Sequence, residues 1–117
     1  MPVMPVIERP VPVIKDVPVG NVETEWQEQP PYAVILHNDN INGMDFVVKV
    51  LRKVFGYGYA KAFRLMIQAH ISGRTTVWSG SLEVAELRAE QIVSCGPDPF
   101  TARRGARPLR VTVEPMP

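Results

Sequence analysis

Apolar positions along this chain follow two rhythms, one suited to strands and one to helices. Tyr32-Ala33-Val34-Ile35-Leu36 is an unbroken apolar run ending at His37, bounded by Pro30-Pro31 before it and Asn38-Asp39-Asn40 after it. Such a run predicts a short buried strand. Met44, Val47, Val48, Leu51, Val54 and Phe55 then recur at helical spacing, one apolar face, with Asn42 as the expected N-cap, Asp45 as its capping-box partner and Gly56-Tyr57-Gly58 as the stop. A second helix is expected from about Tyr59 to Ile71, where Ala62, Phe63, Met66, Ile67 and His70 share a face and Ser72-Gly73 closes it. Thr75-Thr76-Val77-Trp78 predicts a strand. Ser81 then caps a third helix, where Leu82, Ala85, Glu86 and Ala89 mix with Val84, Leu87, Arg88 and Ile92, and Gly96-Pro97-Asp98-Pro99 breaks it. Leu109 to Glu114 alternates as a last strand.

The order is β-α-α-β-α-β. It predicts an α+β fold: a small three-stranded antiparallel sheet packed against three helices, preceded by an extended N-terminal tail. Seven of the twelve prolines lie in residues 1–31. Each removes a backbone donor and fixes φ, so this stretch reads as a flexible, polyproline-like extension and residues 32–117 as the one folded domain. A domain of roughly 85 residues can build one modest core.

Composition narrows the function classes. A net charge of +1 does not announce a nucleic-acid partner. No apolar run reaches membrane-spanning length, and the tail has no basic start followed by an apolar stretch, so neither a span nor a leader is expected. The single cysteine, Cys95, excludes an internal disulfide and fits a cytoplasmic protein. No phosphate-binding loop, dinucleotide fingerprint or metal-spaced Cys/His set is present, so no cofactor and no metal are expected.

The chemistry concentrates in two places. Asn38-Asp39-Asn40-Ile41-Asn42 is rich in side-chain oxygens, and Met66 and His70 stand one turn apart on the second helix. Taken separately, these are an ordinary turn cluster and a satisfied core histidine. Taken together, acceptors around an apolar hole suit a cation beside a greasy side chain. A peptide N-terminus with a bulky first residue is such a ligand, because its α-amino group, with a pKa of about 7.7–8.0, is mostly a cation at neutral pH.

Several spaced segments resemble the ClpS adaptor family. They are Tyr32-x-Val34-Ile35-Leu36-x-Asn38-Asp39, Met44-Asp45-Phe46-Val47, Phe55-Gly56, Leu65-Met66, His70, Gly73-Arg74, Glu83-Val84-Ala85-Glu86 and Pro108-Leu109. The match covers essentially all of residues 32–114. It implies a non-enzymatic adaptor. Such a protein binds N-degron substrates beginning with Leu, Phe, Tyr or Trp and delivers them to a Clp AAA+ unfoldase of the ClpA or ClpC type, through that partner's N-terminal domain.

By the same resemblance, Asn38, Asp39, Asn40 and His70 match positions around the ligand's α-amino group. Ile41, Asn42, Met44, Val47, Met66, Ala69 and Leu109 match positions of the hydrophobic pocket, with Met44 as a gatekeeper against β-branched first residues. Glu83 and Arg88 match the unfoldase-docking face. A neutral imidazole at His70 is needed to accept a hydrogen bond, so binding is expected to weaken below about pH 6. Pocket burial and ammonium contacts together imply micromolar affinity, about −8 kcal/mol. A monomer is expected, with no nucleic acid and no membrane as partner.

The chain departs from the family pattern in places. Asn40 stands for an aspartate, Asn42-Gly43 for Thr-Pro, and Ala69 for a larger aliphatic residue. The segment from Ser94 to Arg107 is longer than usual and carries Arg103, Arg104 and Arg107. A different interaction module of similar α+β fold, like the C-terminal domain of the ribosomal stalk protein, is the alternative; it would show no preference for an N-terminal residue. A His70–Asp39 acid–base pair would make an enzyme, but no nucleophile motif or metal set accompanies it.

Overall fold

The computed structural model describes residues 6–7 and 29–117. Most of the Pro-rich extension expected over residues 1–31 lies outside the described residues.

Strand β1 (Val6–Ile7) is followed by β2 (Tyr32–His37), α1 (Met44–Phe55), α2 (Tyr59–Ser72), β3 (Arg74–Gly80), α3 (Leu82–Ser94), a 3-10 turn at Ala102–Arg104 and β4 (Val111–Pro115). In the sheet, β2 lies between β3 and β4 and pairs antiparallel with both. This is the expected three-stranded antiparallel sheet. The two residues of β1 add a short parallel edge, Val6 opposite Thr112 and Ile7 opposite Val113. Met116 N donates to Pro31 O at 2.8 Å, so the domain's two ends meet beside β2.

The central place of β2 explains its continuous apolar run. Tyr32 to Leu36 are all buried, because the strand is covered on both edges and faces the helices through Tyr32, Val34 and Leu36. A register shift between Val34 and Ile35 lets both Val77 and Trp78 of β3 reach the core.

The three helices complete that core with Val47, Val48, Val50 and Leu51 from α1, Ala62, Leu65, Met66 and Ala69 from α2, and Ala85, Ala89, Ile92 and Val93 from α3. Fully burying a side chain such as Leu51 or Ile92 contributes roughly 1.5–3 kcal/mol.

Helix ends follow local chemistry, with one exception. Gly56 (φ 71°) and Gly73 (φ 87°) take the left-handed conformation that closes α1 and α2, and each N–H returns to a helix carbonyl, Arg52 O and Ala69 O respectively. Ser81 caps α3 by accepting from Val84 N at 3.4 Å. Asn42, however, is not the N-cap of α1: that position is Gly43, which has no capping side chain of its own, and the side chain of Asn42 is turned to other partners.

The face expected for α2 is also rotated. Leu65 and Ala69 are buried, while Phe63 (43% exposed) and His70 are at the surface. Small residues such as Ala62 and Ala69 sit innermost because they let the helix approach its neighbours closely.

Candidate functional site

Three elements meet where β2 ends. Asn38 N donates to Gly73 O at 2.8 Å, which ties the loop after β2 to the C-terminal end of α2 and brings Asn38 beside His70. The loop then turns on Asp39. One carboxyl oxygen, Oδ1, accepts from Ile41 N (2.8 Å) and Asn42 N (3.1 Å), and the other, Oδ2, accepts from Asn42 Nδ2 (2.5 Å). A carboxylate offers about four lone-pair sites, so only about one remains for a ligand. Asp39 therefore shapes the loop as well as supplying negative charge.

Asn38 Nδ2 donates to Asn40 Oδ1 at 3.3 Å. One of the two side-chain N–H donors of Asn38 is thereby engaged, which points its amide oxygen the other way as an acceptor. Asn40 and Ile41 are exposed above the turn, whereas Asn42 is buried beneath it.

A small cavity opens under this loop, with a volume of about 30 Å³. Its polar rim is His37, Asn38, Asp39, Asn42 and His70, and its apolar wall is Leu36, Met44, Val47, Met66, Ala69 and Leu109. The structure thus brings together nine of the eleven positions expected around a ligand; Asn40 and Ile41 stand outside the cavity lining. Val47, Met66, Ala69 and Leu109 are buried, while Met44 is 48% exposed at the mouth. The volume accommodates only about one or two water molecules. A side chain the size of Leu or Phe enters only if wall residues move, and the two methionines are unbranched and flexible enough to do so.

His37 lines this cavity although sequence patterning marks it only as a strand end. Its Nε2 is 2.9 Å from Thr112 Oγ1. Thr112 Oγ1 lies 3.5 Å from Glu114 Oε1, and Glu114 in turn pairs with Arg74. Burial, then the nearby Arg110 and Arg74 guanidinium groups, hold the His37 pKa below its ordinary 6.5, with Glu114 opposing. The ring is therefore neutral at pH 7 and places no competing cation beside Asn38. What would have flagged it is adjacency to Asn38; the charges that set its state come from strands far along the chain.

Beyond this site, Glu83 and Arg88 lie on α3. Glu83 is exposed. Arg88 is half-buried, its Nη1 donating to Val54 O at 3.2 Å and Gln91 Oε1 at 3.1 Å. The loop arginines Arg103, Arg104 and Arg107 are exposed, as is Arg110. Among the described residues no cluster of His, Cys, Asp and Glu is arranged to hold a metal ion, and no helix is long and apolar enough to cross a membrane.

Residues 27–112 match the family model described as ATP-dependent Clp protease adaptor protein ClpS. The chain is similar to the ATP-dependent Clp protease adapter protein ClpS of Ruegeria sp. (strain TM1040), 40% identical over 88 residues that cover 75% of this chain and 73% of that protein. It is also similar to the protein of that name from Desulforapulum autotrophicum, 35% identical over 103 residues, covering 88% of this chain and 93% of that protein. Among solved structures it is similar to Agrobacterium tumefaciens ClpS2 bound to L-phenylalaninamide, with 29% identity, a TM-score of 0.66, and coverage of 76% of this chain and 100% of that one.

Proposed function

The chain belongs to the ClpS family of ATP-dependent Clp protease adaptors, and we propose that it binds the free α-amino group and bulky first residue (Leu, Phe, Tyr or Trp) of N-degron substrates and passes them to a Clp AAA+ unfoldase. The observation that carries this is the cavity itself: hydrogen-bond acceptors at the rim, a methionine-bearing apolar wall and, among the described residues, no lysine or arginine side chain in its lining. L-phenylalaninamide, the molecule bound by the similar ClpS2, has the two features this arrangement suits, a free α-amino group and a bulky apolar side chain.

In this proposal the Asn38 amide oxygen and a neutral His70 accept from the ammonium, and Asp39 contributes negative charge from beneath the loop. Asn40 supplies an amide in place of a second charge, which lowers the attraction, since charged hydrogen bonds are roughly twice as strong as neutral ones. Met44 stands half-exposed at the mouth, where it would swing aside for an unbranched Cβ and collide with a branched one. Val47, Met66, Ala69 and Leu109 receive the side chain; Asn42 lines the cavity from beneath the loop, and Ile41 stands exposed above it.

Delivery is assigned to a separate face. Glu83 is free to meet an unfoldase domain, whereas Arg88 is partly committed to Val54 and Gln91 and offers less of its charge. Residues 1–31 would serve as the extension that reaches toward the unfoldase. The protein would act as a cytoplasmic monomer, without a cofactor and without turning over its ligand.

The test is fluorescence polarisation with peptides that differ only in the first residue: Leu, Phe, Tyr, Trp, Ile, Ala and N-acetyl-Phe. Micromolar binding confined to some of the first four and abolished by acetylation is expected. Equal binding to all, or to none, would overturn the assignment in favour of a plain interaction module.

A further inference from the structure

We propose that residues 96–107 act as a built-in brace for the ligand loop, with Asp98 as its positioning residue; the proposal rests on the reading of the Asn38–Asn42 loop as the amine-binding rim. Much of the segment is solvent-exposed: Phe100 is 93% exposed and Arg103, Arg104 and Arg107 are all at the surface. Asp98 is the exception, a charged residue only 6% exposed. Asp, like the other charged residue types, is rarely buried without partners, and here every partner bears on the loop or on the segment's own turn.

Asp98 N donates to Asn42 Oδ1 at 2.8 Å. Asp98 Oδ2 accepts from Gly43 N at 3.1 Å, so the backbone amide at the N-cap of α1 is satisfied by a residue 55 positions away rather than by its own neighbour. Asp98 Oδ1 accepts from Phe100 N at 3.0 Å, and the Asp98 carbonyl accepts from Thr101 N at 3.1 Å, which fixes the turn that presents the carboxylate. At the far end of the segment, Arg107 O accepts from Asn42 Nδ2 at 2.8 Å. The side chain of Asn42, 6% exposed, is thus held by both ends of the segment while it also donates to Asp39. A continuous hydrogen-bonded path runs from Asp98 through Asn42 to Asp39, whose other bonds set the turn that carries Asn38.

Gly43 belongs to this arrangement. A Cβ there would lie 2.9 Å from Asp98 Oδ2, closer than side-chain carbons approach such an atom, so the absence of a side chain admits the carboxylate. A rim held in its binding geometry before the ligand arrives loses less freedom on binding, and that is how a residue outside the cavity lining raises affinity.

The experiment compares Asp98→Ala and Asp98→Asn with the parent protein, by amide hydrogen exchange without ligand and by polarisation with a Phe-first peptide. Asp98→Ala is expected to speed exchange at Ile41, Asn42 and Gly43 while Val34 and Leu36 stay protected, and to weaken binding about tenfold. Asp98→Asn keeps one acceptor oxygen but turns its amide NH2 toward either Gly43 N or Phe100 N, and should fall between Asp98→Ala and the parent in both readouts. Gly43→Ala should weaken binding alone but add little in the Asp98→Ala background, since the two act on one contact. If Asp98→Ala does not fold, Gly43→Ala carries the exchange and binding measurements by itself. Unchanged exchange at the three loop amides in a folded variant would overturn the brace. A parent protein that binds no N-terminal residue would instead overturn the functional assignment, and the exchange data would still decide the brace.

Discussion

Two of the openings beside α1 differ in size and chemistry: one of about 490 Å³ lies between Asp45, Lys49, Arg52, Lys53, Tyr57 and Tyr59, the other of about 30 Å³ beneath Asn38 and His70. The larger one is an open groove. Its cations face solvent, and Lys61 is spent on the Tyr57 ring, 4.0 Å from its centre. The smaller one has little free volume, but acceptors converge on it and, among the described residues, no lysine or arginine side chain lines it. For a ligand that is a cation beside an apolar side chain, the groove repels the first half and cannot enclose the second. Convergent chemistry, more than volume, is what makes the smaller opening the candidate site.

The most severe way to break this comparison is to remove the acceptors. Asn38→Ala combined with His70→Ala should reduce binding of a Phe-first peptide by about 100-fold or more, equal to roughly 2.7 kcal/mol. Lys49→Gln, Arg52→Gln and Lys53→Gln together should leave it within about twofold. The same polarisation titration reads both, and a loss confined to the groove variant would reverse the assignment.

A smaller effect is expected from the wall. Ala69→Leu adds volume to a cavity that has little to spare, so affinity for aromatic first residues should fall about tenfold and stability by about 1–3 kcal/mol. Met44→Ala should change preference more than strength, admitting Ile and Val first residues at about the affinity proposed for Leu. If selectivity across the peptide set is unaltered in that variant, Met44 is not the gate.

The dependence on pH sharpens the electrostatic half of the contrast. His37 has a pKa held below 6.5 in the folded protein, so the unfolded chain binds its proton more readily. The stability tied to its neutral form is fully present above pH 6.5 and is lost as pH falls from there through the folded pKa. Thermal melts should therefore show Tm falling below pH 6.5, and His37→Gln should flatten that part of the profile.

The least effect is expected at Tyr32, whose buried hydroxyl has no hydrogen-bond partner among the described residues. Tyr32→Phe should leave binding alone and stabilise the domain by about 1 kcal/mol in urea unfolding.

Much of this was legible in the sequence where neighbours in the chain are neighbours in space. The stops at Gly56 and Gly73, the cap at Ser81 and the centre of the α1 stripe at Val47, Val48 and Leu51 are local and came out as expected, whereas Met44 of that stripe is half-exposed and Val50 outside it is buried. The face of α2 was misplaced because periodicity weighs Phe63 above Ala69, whereas close packing buries the small residue and leaves the large one outside. Asn42 has the identity of a cap, but its partners Asp98 and Arg107 are 56 and 65 residues away, and no local pattern encodes such a distance. The charge state of His37 was hidden for the same reason, since the guanidinium groups of Arg74 and Arg110 reach it only through the sheet. The loop–helix pairing of Asn38 with His70, by contrast, followed from the resemblance, and the bond from Asn38 N to Gly73 O supplies its physical basis.

The bond between Met116 and Pro31 has a practical consequence of its own. Because the domain is entered and left at one point, a short linker could join residue 117 to residue 30, and new termini could be opened at Gly58, which is exposed between α1 and α2 and has no atom within 4 Å of an added Cβ. Such a circular permutant would keep every strand pairing of the antiparallel sheet while detaching the Pro-rich segment, leaving the adaptor domain as a stand-alone unit.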